Sequence, residues 1–314
     1  MRIGEAPPPR AAAGQVLIDV AATSVNRPDV LQRQGRYPPP PGESEILGLE
    51  AAGTIAEVGD GVRGLAAGQR VAALLGGGGY AEIAAAHAGH VLALPDGVSF
   101  EEGACICETY ITAYLNVFVG AALQDGESVL LHGGGGGVTT AAMQLCRVLA
   151  PASQVIVTAS TGKVARVAEL GADHVIDYRR EDFAEAVLRC TEGRGADVVL
   201  DHIGAAYLEK NMRALGVGGR LALIGVMGGR KAEIDLGRLL VKRQRIIGSV
   251  LRPRPTAEKT EIIAGFRQKV MPLFADRRIV PLIDRVYPLD EAAAAHRRME
   301  DGAHFGKIVL RVRA

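Results

Sequence analysis

The chain of 314 residues is longer than a typical single domain, and its 48% hydrophobic and 23% charged residues are the composition of a folded globular protein with two domains. A formal net charge of +1 provides no global field to attract nucleic acid or an anionic membrane surface, so we expect neither as a partner. Four irregularly spaced cysteines do not form a disulfide framework, which favours a cytoplasmic setting, and we expect no signal peptide and no membrane-spanning segment.

The first hundred residues contain short apolar segments separated by glycine, proline and acidic residues. Short strands broken by such turns are typical of an irregular β-rich domain. We predict its strands at residues 15–21, 52–58, 70–75, 80–84 and 90–93.

From Ser128 onward, apolar strands alternate with helix-like segments. We predict strands at residues 128–131, 154–158, 174–176, 197–200, 220–224 and 245–250, and a helix over residues 163–170. Strict alternation of strand and helix implies right-handed βαβ units and a parallel sheet, and strands that are apolar on both faces suit burial beneath helices. After the proline-rich residues 252–255 the alternation ends, and we expect the rest of the chain to return to the first domain.

Five consecutive glycines, residues 133–137, directly follow the strand at residues 128–131 and precede an amphipathic helix. Glycines let the backbone approach a diphosphate closely, and a helix N-terminus supplies free N–H donors and a positive dipole end. Because the run lies at the first βα turn of a βαβ series, it predicts binding of a nicotinamide dinucleotide. The residues expected to bind it are Gly134, Gly135, Gly136, Gly137 and Val138. The alternative is a flexible loop without a ligand.

The strand at residues 154–158 is not followed by the Asp or Glu that usually binds the ribose 2′-hydroxyl of NAD. This absence favours NADPH as the cofactor. Ser160 could donate a hydrogen bond to a 2′-phosphate, Lys163 could neutralise its charge, and Tyr178 is a third candidate. Alternatively, Lys163 is a solvated helix residue and Ser160 only a helix cap.

Several long segments carry a family resemblance: residues 24–42 (SVNRPDVLQRQGRYPPPPG), 46–53 (ILGLEAAG), 77–82 (GGGYAE), 225–229 (GVMGG), 248–252 (GSVLR) and 304–310 (HFGKIVL). Over nearly its whole length the chain resembles the zinc-free quinone oxidoreductase branch of the medium-chain dehydrogenase/reductase superfamily, close to the p53-inducible quinone oxidoreductase-like members. The resemblance implies an α/β fold with a Rossmann doubly wound parallel sheet that binds NADP(H), at residues 116–251. A GroES-like β-rich catalytic domain would be formed by residues 1–115 and 252–314.

The resemblance also implies that no metal is bound. Zinc-dependent relatives have a cysteine at the position of Asn26 and a histidine at that of Leu49, and neither residue present here is a strong zinc ligand. The four clustered cysteines of a structural zinc lobe are missing as well. Cys105 and Cys107 alone cannot complete a tetrahedral site, and we expect both in a core helix.

Without a Lewis acid, the acceptor should already be electrophilic, which favours an NADPH:quinone reductase. By resemblance, Asn26 and Tyr37 are the candidate catalytic residues. Asn26 could hydrogen-bond the acceptor oxygen, and Tyr37 could donate a proton or stack on the quinone ring. The alternative for Tyr37 is packing against the prolines at residues 38–41.

The same resemblance extends to the rest of the cofactor site and to the oligomer. The further residues expected to line the cofactor are Thr112, Gly204, Met227, Gly228, Ser249, Leu251 and Lys307. Members of the family are commonly homodimers joined through Rossmann edge strands, which would be residues 245–250 in this chain.

Two departures from the family pattern leave alternatives open. Members usually begin with an additional hairpin before the segment that matches residues 2–9, so the start could be truncated or could lack an edge strand. The third fingerprint glycine is replaced by Thr139, whose β-branched side chain should push the helix away or shift the turn. The competing functions are reduction of α,β-unsaturated carbonyls and a catalytically idle NADPH-binding or structural role.

Overall fold

A computed structural model describes residues 1–313, and the chain divides into two units. One unit comprises residues 1–111 together with the chain from Leu251 onward, and the other comprises residues 112–250. Each unit contains one β-sheet. Within residues 1–313, no helix is both long enough and apolar enough to cross a membrane.

The secondary-structure elements are numbered in chain order. The strands are β1 (Gln15–Val25), β2 (Glu50–Val58), β3 (Arg70–Leu74), β4 (Ile83–His87), β5 (Val91–Ala93), β6 (Ser128–Leu131), β7 (Gln154–Ala159), β8 (His174–Asp177), β9 (Ala196–Asp201), β10 (Leu215–Leu223), β11 (Arg245–Gly248), β12 (Ile283–Pro288) and β13 (Lys307–Arg311). The helices are α1 (Arg27–Arg33), α2 (Phe100–Gly103), α3 (Thr109–Ala113), α4 (Gly137–Leu149), α5 (Val164–Glu169), α6 (Phe183–Cys190), α7 (Ala205–Ala214), α8 (Leu236–Val241), α9 (Thr256–Lys269), α10 (Met271–Ala275) and α11 (Ala292–Glu300).

The first unit is built around a seven-stranded sheet with the order β12-β13-β1-β2-β3-β5, and β4 pairs with β1. The long strand β1 is its centre. Val16, Ile18 and Val20 lie in the hydrophobic core of this sheet and are fully buried. At its far end, β1 pairs antiparallel with β13, with Val25 opposite Ile308. The last strands of the chain therefore complete the sheet that the first strand begins.

The second unit contains a six-stranded sheet with the order β11-β10-β9-β6-β7-β8, and every pair of neighbours is parallel. Leu130, Ile156 and Val199, on three adjacent strands, are fully buried in its core. The predicted Rossmann doubly wound parallel sheet is thus confirmed. Because β6 is flanked by β7 on one side and β9 on the other, the strand order reverses at β6, and parallel sheets bind ligands at the carboxyl ends of the strands at such a point.

Several predicted boundaries were wrong, for local reasons. The strand predicted at residues 80–84 lies at Ile83–His87, because the backbone N–H of Tyr80 donates to the Leu47 carbonyl, a long-range hydrogen bond outside the strand pairing. The strand predicted at residues 90–93 starts at Val91, since Ala88–His90 form a 3₁₀ turn. The strand predicted at residues 220–224 already begins at Leu215, and β11 ends at Gly248.

Cys105 and Cys107 are fully buried, as expected, but they lie in a series of turns between α2 and α3 and not in a helix. The backbone N–H of Glu108 donates to the carboxylate of Glu50, 2.9 Å away, and not to a helical carbonyl. A long-range side-chain acceptor therefore interrupts the helix that the sequence predicts.

Candidate active site

The glycine run lies at the carboxyl end of β6 and forms a narrow turn. Gly133 and Gly135 have φ angles of 72° and 93°, a conformation that favours glycine. A Cβ on Gly134 would lie 2.9 Å from Cγ2 of Val167 and 3.0 Å from Cγ1 of Val157, so a larger residue would not fit. Gly134 therefore lets the turn pack closely against β7 and α5.

The turn leads directly into the 13-residue helix α4. Gly136 occupies the N-cap position, and no side chain caps the N–H groups of the first turn. Free amides at the positive end of a helix dipole are donors for a phosphate. The turn and the helix start together therefore fit the diphosphate of a dinucleotide.

Thr139, in place of the third fingerprint glycine, lies in the first turn of α4 and is 2% exposed. Its Oγ1 donates a hydrogen bond to the carbonyl of His132, at 2.6 Å. The threonine hydroxyl thus links the start of the helix to the end of β6.

A network of buried, hydrogen-bonded side chains lies next to the glycine turn, and the sequence did not predict it. His132 Nδ1 lies 2.9 Å from Oγ1 of Thr158, and His132 Nε2 lies 2.7 Å from Oδ1 of Asn211. Nδ2 of Asn211 donates to Oδ2 of Asp201, at 3.1 Å, so the amide oxygen is the acceptor from Nε2–H and the threonine hydroxyl donates to Nδ1. This hydrogen-bond network connects the carboxyl ends of β6, β7 and β9.

Burial sets the protonation of this hydrogen-bond network. It lowers the pKa of His132 to about 3, so the imidazole is neutral, and it raises the pKa of Asp201 to about 6. The Asp201 carboxylate accepts from the backbone N–H groups of Ile203 and Gly204. In the sequence, the one sign of this hydrogen-bond network is a histidine at the end of a buried apolar strand.

The structure brings most of the predicted cofactor residues to the same edge of the six-stranded sheet. Parallel strands end at one edge, and these residues follow β6, β7, β8, β9, β10 or β11. They are Gly134, Gly135, Gly136, Gly137, Val138, Ser160, Lys163, Tyr178, Gly204, Met227, Gly228 and Ser249.

The three proposed 2′-phosphate residues lie next to one another in the sheet order. Ser160 precedes a 3₁₀ turn that ends at Lys163, and the Ser160 side chain makes no cap hydrogen bond. Tyr178 follows β8, is 39% exposed, and donates its backbone N–H to the Ala159 carbonyl. No acidic residue lies between the end of β7 and Lys163.

Three predicted residues lie away from this edge. Thr112 is in the last turn of α3, where its carbonyl accepts a hydrogen bond from Asn116. Leu251 and Lys307 belong to the first unit, and both are buried.

Lys307 and the predicted catalytic residue Asn26 form part of a buried charged cluster in the first unit. Nζ of Lys307 lies 2.5 Å from Oδ1 of Asn26 and 3.0 Å from Oε1 of Glu50. The Asn26 Nδ2 and the Ser24 hydroxyl donate to the same carboxylate oxygen, at 2.9 Å and 2.6 Å. Glu50 is fully buried and Lys307 is 4% exposed, so each charge is stabilised in the protein interior by the opposite charge of its partner.

Asp29 is a second fully buried carboxyl in this cluster. It accepts the backbone N–H groups of Asn26 and Gly48, at 2.8 Å and 3.0 Å. Burial raises the pKa of Asp29 to about 7, although these two hydrogen bonds act in the opposite direction. Asp29 and Glu50 were not among the predicted site residues because each is an isolated acid in the sequence.

Tyr37, the other predicted catalytic residue, is half-buried beside Arg252. The guanidinium carbon lies 5.3 Å from the centre of the tyrosine ring, a cation–π distance. Arg252 also donates to the Gly76 carbonyl and to Oε1 of Gln32. Burial raises the pKa of Tyr37, and the charge of Glu108 adds to this effect.

The residues at the zinc position do not fit a metal ion. Asn26 offers an amide, Leu49 offers a buried aliphatic side chain, and the carboxylate of Glu50 is already paired with the Lys307 ammonium. Among residues 1–313, no three histidine, cysteine, aspartate or glutamate side chains are grouped so that they could hold a metal ion.

Two known protein families match the sequence. Residues 12–96 match the alcohol dehydrogenase GroES-like domain, and residues 170–310 match the zinc-binding dehydrogenase family. The first match confirms the predicted GroES-like domain.

Curated relatives match along most of the chain. The synaptic vesicle membrane protein VAT-1 homolog of Danio rerio is 31% identical over 318 residues, which cover 96% of this chain and 65% of that protein. The homolog of Homo sapiens is 30% identical over 319 residues, which cover 97% of this chain and 81% of that protein. The phenolphthiocerol synthesis polyketide synthase type I Pks15/1 of Mycobacterium bovis is 36% identical over 300 residues, 95% of this chain but 14% of that protein. The chain thus spans less than two thirds of the first and the last of these relatives.

Solved structures are similar over both units. The Escherichia coli quinone oxidoreductase, solved in complex with NADPH, has a TM-score of 0.87 and 28% identity, and covers 98% of this chain and 95% of its own. The CurK enoyl reductase has a TM-score of 0.85 and 27% identity, and covers 98% of this chain and 94% of its own.

Proposed function

Because this chain belongs to the medium-chain dehydrogenase/reductase superfamily and fits its zinc-free quinone oxidoreductase-like branch, we propose that it is an NADPH-dependent reductase of quinones. The observation that carries the proposal is the glycine turn at the point where the strand order of a parallel sheet reverses. The likeness to these relatives establishes membership of the superfamily, and the oxidoreductase activity, the quinone acceptor and NADPH are the proposed parts.

The second unit fits the cofactor along the edge already described. The glycine turn at residues 133–137 and the uncapped start of α4 would hold the diphosphate. Ser160 and Lys163 would bind the 2′-phosphate, where a carboxylate would repel it. When bound, NADPH supplies the hydride that reduces the acceptor.

The first unit supplies the candidate residues for the acceptor. Tyr37 is half-buried, and its ring is held by Arg252, so it can stack on a flat acceptor. Both ends of the Asn26 amide are already hydrogen-bonded, so we assign Asn26 to orienting Lys307 and Glu50. A quinone needs no Lewis acid because its carbonyls are already electron-poor, which agrees with a zinc position that does not fit a metal.

Reduction of α,β-unsaturated carbonyls is the second candidate. The likeness to an enoyl reductase favours it, because the same hydride is then delivered to a β-carbon. This reaction needs a proton at the α-carbon as well, so it demands more of the protein than quinone reduction does.

The test is NADPH oxidation by the purified protein with benzoquinone, phenanthrenequinone and a 2-alkenal, each at the same concentration. We expect the two quinones to be turned over with a higher kcat/KM than the alkenal. The reverse order would favour the second candidate. NADPH binding without oxidation by any acceptor would contradict both and indicate a non-catalytic role.

We also propose that the chain forms a homodimer through β11, the edge strand of the six-stranded sheet. Leu236, Leu240, Val241 and Ile246, on α8 and β11, are exposed by 60%, 75%, 79% and 39%. Exposed apolar side chains beside an open strand edge are typical of a surface that another chain covers. Sedimentation should give the mass of two chains, and the mass of one chain would contradict this proposal.

A further inference from the structure

Three carboxyl groups surround a single ammonium in the first unit, and they are not equivalent. Glu50 accepts hydrogen bonds from Ser24, Asn26 and Lys307 and from the backbone of Glu108, and Asp29 accepts two backbone N–H groups. Both are fully buried. Each of their four oxygens already accepts a hydrogen bond, so their role is structural.

Glu108 differs from the other two in both respects. Its residue is partly exposed, and within residues 1–313 no hydrogen bond to its carboxyl oxygens is found. Its backbone is fixed, because its N–H donates to Oε2 of Glu50 at 2.9 Å. The Glu108 backbone is therefore held in place, and its carboxyl oxygens can form hydrogen bonds with a ligand.

The surroundings of Glu108 favour its neutral form. Burial is the largest influence and Glu50 the next, and together with Asp29 they raise the pKa of the Glu108 carboxyl to about 8. Lys307 and Arg252 act in the opposite direction. Part of the residue still reaches the surface, so the group can exchange its proton with water.

Asp29 is fully buried, so its proton does not reach the surface, and the remaining acidic groups nearby are poorer proton donors at neutral pH. Burial raises the pKa of Tyr37 above its ordinary value, and Glu108 contributes to this increase. The pKa of the buried Cys107 thiol is also raised well above its ordinary value by burial and by Glu50 and Glu108. Lys307 is held by Asn26 and Glu50. Of these groups, Glu108 is the one that is both partly exposed and near enough to Tyr37 and Arg252 for their charges to interact.

We propose that Glu108 is a catalytic residue, the general acid that protonates the acceptor after hydride transfer. This inference rests on the function proposed above. The acceptor gains two electrons and one hydrogen as hydride, and becomes an anion. The O–H bond of the Glu108 carboxyl breaks, a new O–H bond forms on a quinol oxygen or a C–H bond on an enolate carbon, and the Glu108 carboxylate regains a proton from water. NADPH is oxidised, the acceptor is reduced, and one proton is consumed.

The test compares the pH dependence of kcat in the wild type and in Glu108→Gln, which keeps the shape of the side chain but has no acidic proton. Wild-type kcat should be constant below about pH 8 and fall tenfold per pH unit above it. Asp29 ionises in both proteins, so the difference between the two profiles reports Glu108 alone.

At pH 7, Glu108→Gln should lower kcat about 100-fold with a 2-alkenal, because a carbon atom must be protonated. With benzoquinone we expect about a tenfold loss, since water can also protonate a quinol oxygen. The decline above pH 8 should disappear, and NADPH affinity measured by fluorescence should not change. Glu57→Gln, on the exposed part of β2, is the matched control and should behave as the wild type.

Three results would overturn the assignment. A wild type that turns over acceptors, together with a Gln variant of equal kcat and equal pH profile, would remove Glu108 from the reaction and leave the proposed function intact. A wild type without turnover would overturn both. If Glu108→Gln does not fold, the solvent deuterium isotope effect on wild-type kcat decides: a value above about 2 supports the proton transfer, and a value of 1 overturns it.

Discussion

The two units prepare their chemistry in opposite ways. The edge of the six-stranded sheet uses backbone groups and neutral side chains: glycines with positive φ, an uncapped helix start, and a histidine kept uncharged by burial. The cluster in the first unit uses ionisable side chains, with one buried ammonium among three carboxyl groups. A site built from closely packed backbone is disrupted when a larger side chain is introduced. A buried ion pair is disrupted when one of its two partners is removed. The two sites should therefore fail differently when they are mutated.

The largest effect should come from Lys307→Met in the charged cluster. The variant leaves the Glu50 carboxylate buried without its cation, which typically costs about 3–5 kcal/mol. The free energy of unfolding, measured in urea at pH 7, should fall by that amount. The double variant Lys307→Met/Glu50→Gln should recover part of the loss, because the unpaired charge is then gone. A loss below about 1 kcal/mol in the single variant would mean that the pair is not a buried one.

Gly134→Val should disturb the backbone site through volume alone. Its Cβ would come within 3.0 Å of two valine side chains, so the turn must move away from β7 and α5. We expect NADPH to bind about 100-fold more weakly in a fluorescence titration, equivalent to about 2.7 kcal/mol. Gly97→Ala is the control, since a Cβ there would meet nothing within 4 Å. Unchanged affinity in Gly134→Val would contradict the assignment of this turn to the diphosphate.

The smallest effect should come from Lys163→Ala, at the rim of the backbone site. Removal of one half-exposed cation from a 2′-phosphate should weaken NADPH about tenfold, or about 1.4 kcal/mol, and leave NADH affinity unchanged. The ratio of the two dissociation constants is the measurement. Lys231→Ala, an exposed lysine outside the site, should leave that ratio as it is in the wild type. Equal weakening of both cofactors by Lys163→Ala would assign the residue to general attraction and not to selectivity.

The backbone site could be predicted from sequence because its signals are contiguous. The glycines of residues 133–137 follow their strand directly, and the strands of this sheet are apolar on both faces. The order and type of the predicted elements were therefore sufficient to predict where the turn lies. The exact strand ends were missed. The hydrogen-bonded side chains that link His132 to Asp201 were also missed, because a single polar residue at a strand end has no periodicity.

The charged cluster could be predicted only in part, because its members come together through the fold. Lys307 and Asn26 are 281 residues apart in sequence, and Lys307 and Glu50 are 257 apart. Resemblance pointed to Asn26, Tyr37 and Lys307 singly, but not to their pairing, and Glu108 carried no signal at all. The predicted helix around Cys105 and Cys107 failed for the same reason, since a carboxylate 58 residues away takes the Glu108 amide.

The cofactor site is tested most directly by a fluorescence titration of the wild-type protein with NADPH and with NADH under the same conditions. We predict saturable binding of both, with NADPH at least tenfold tighter, because the end of β7 lacks a carboxylate and offers Ser160 and Lys163. Equal affinity for the two cofactors would contradict the 2′-phosphate site. Binding of neither would contradict the central claim that this sheet edge holds a nicotinamide dinucleotide.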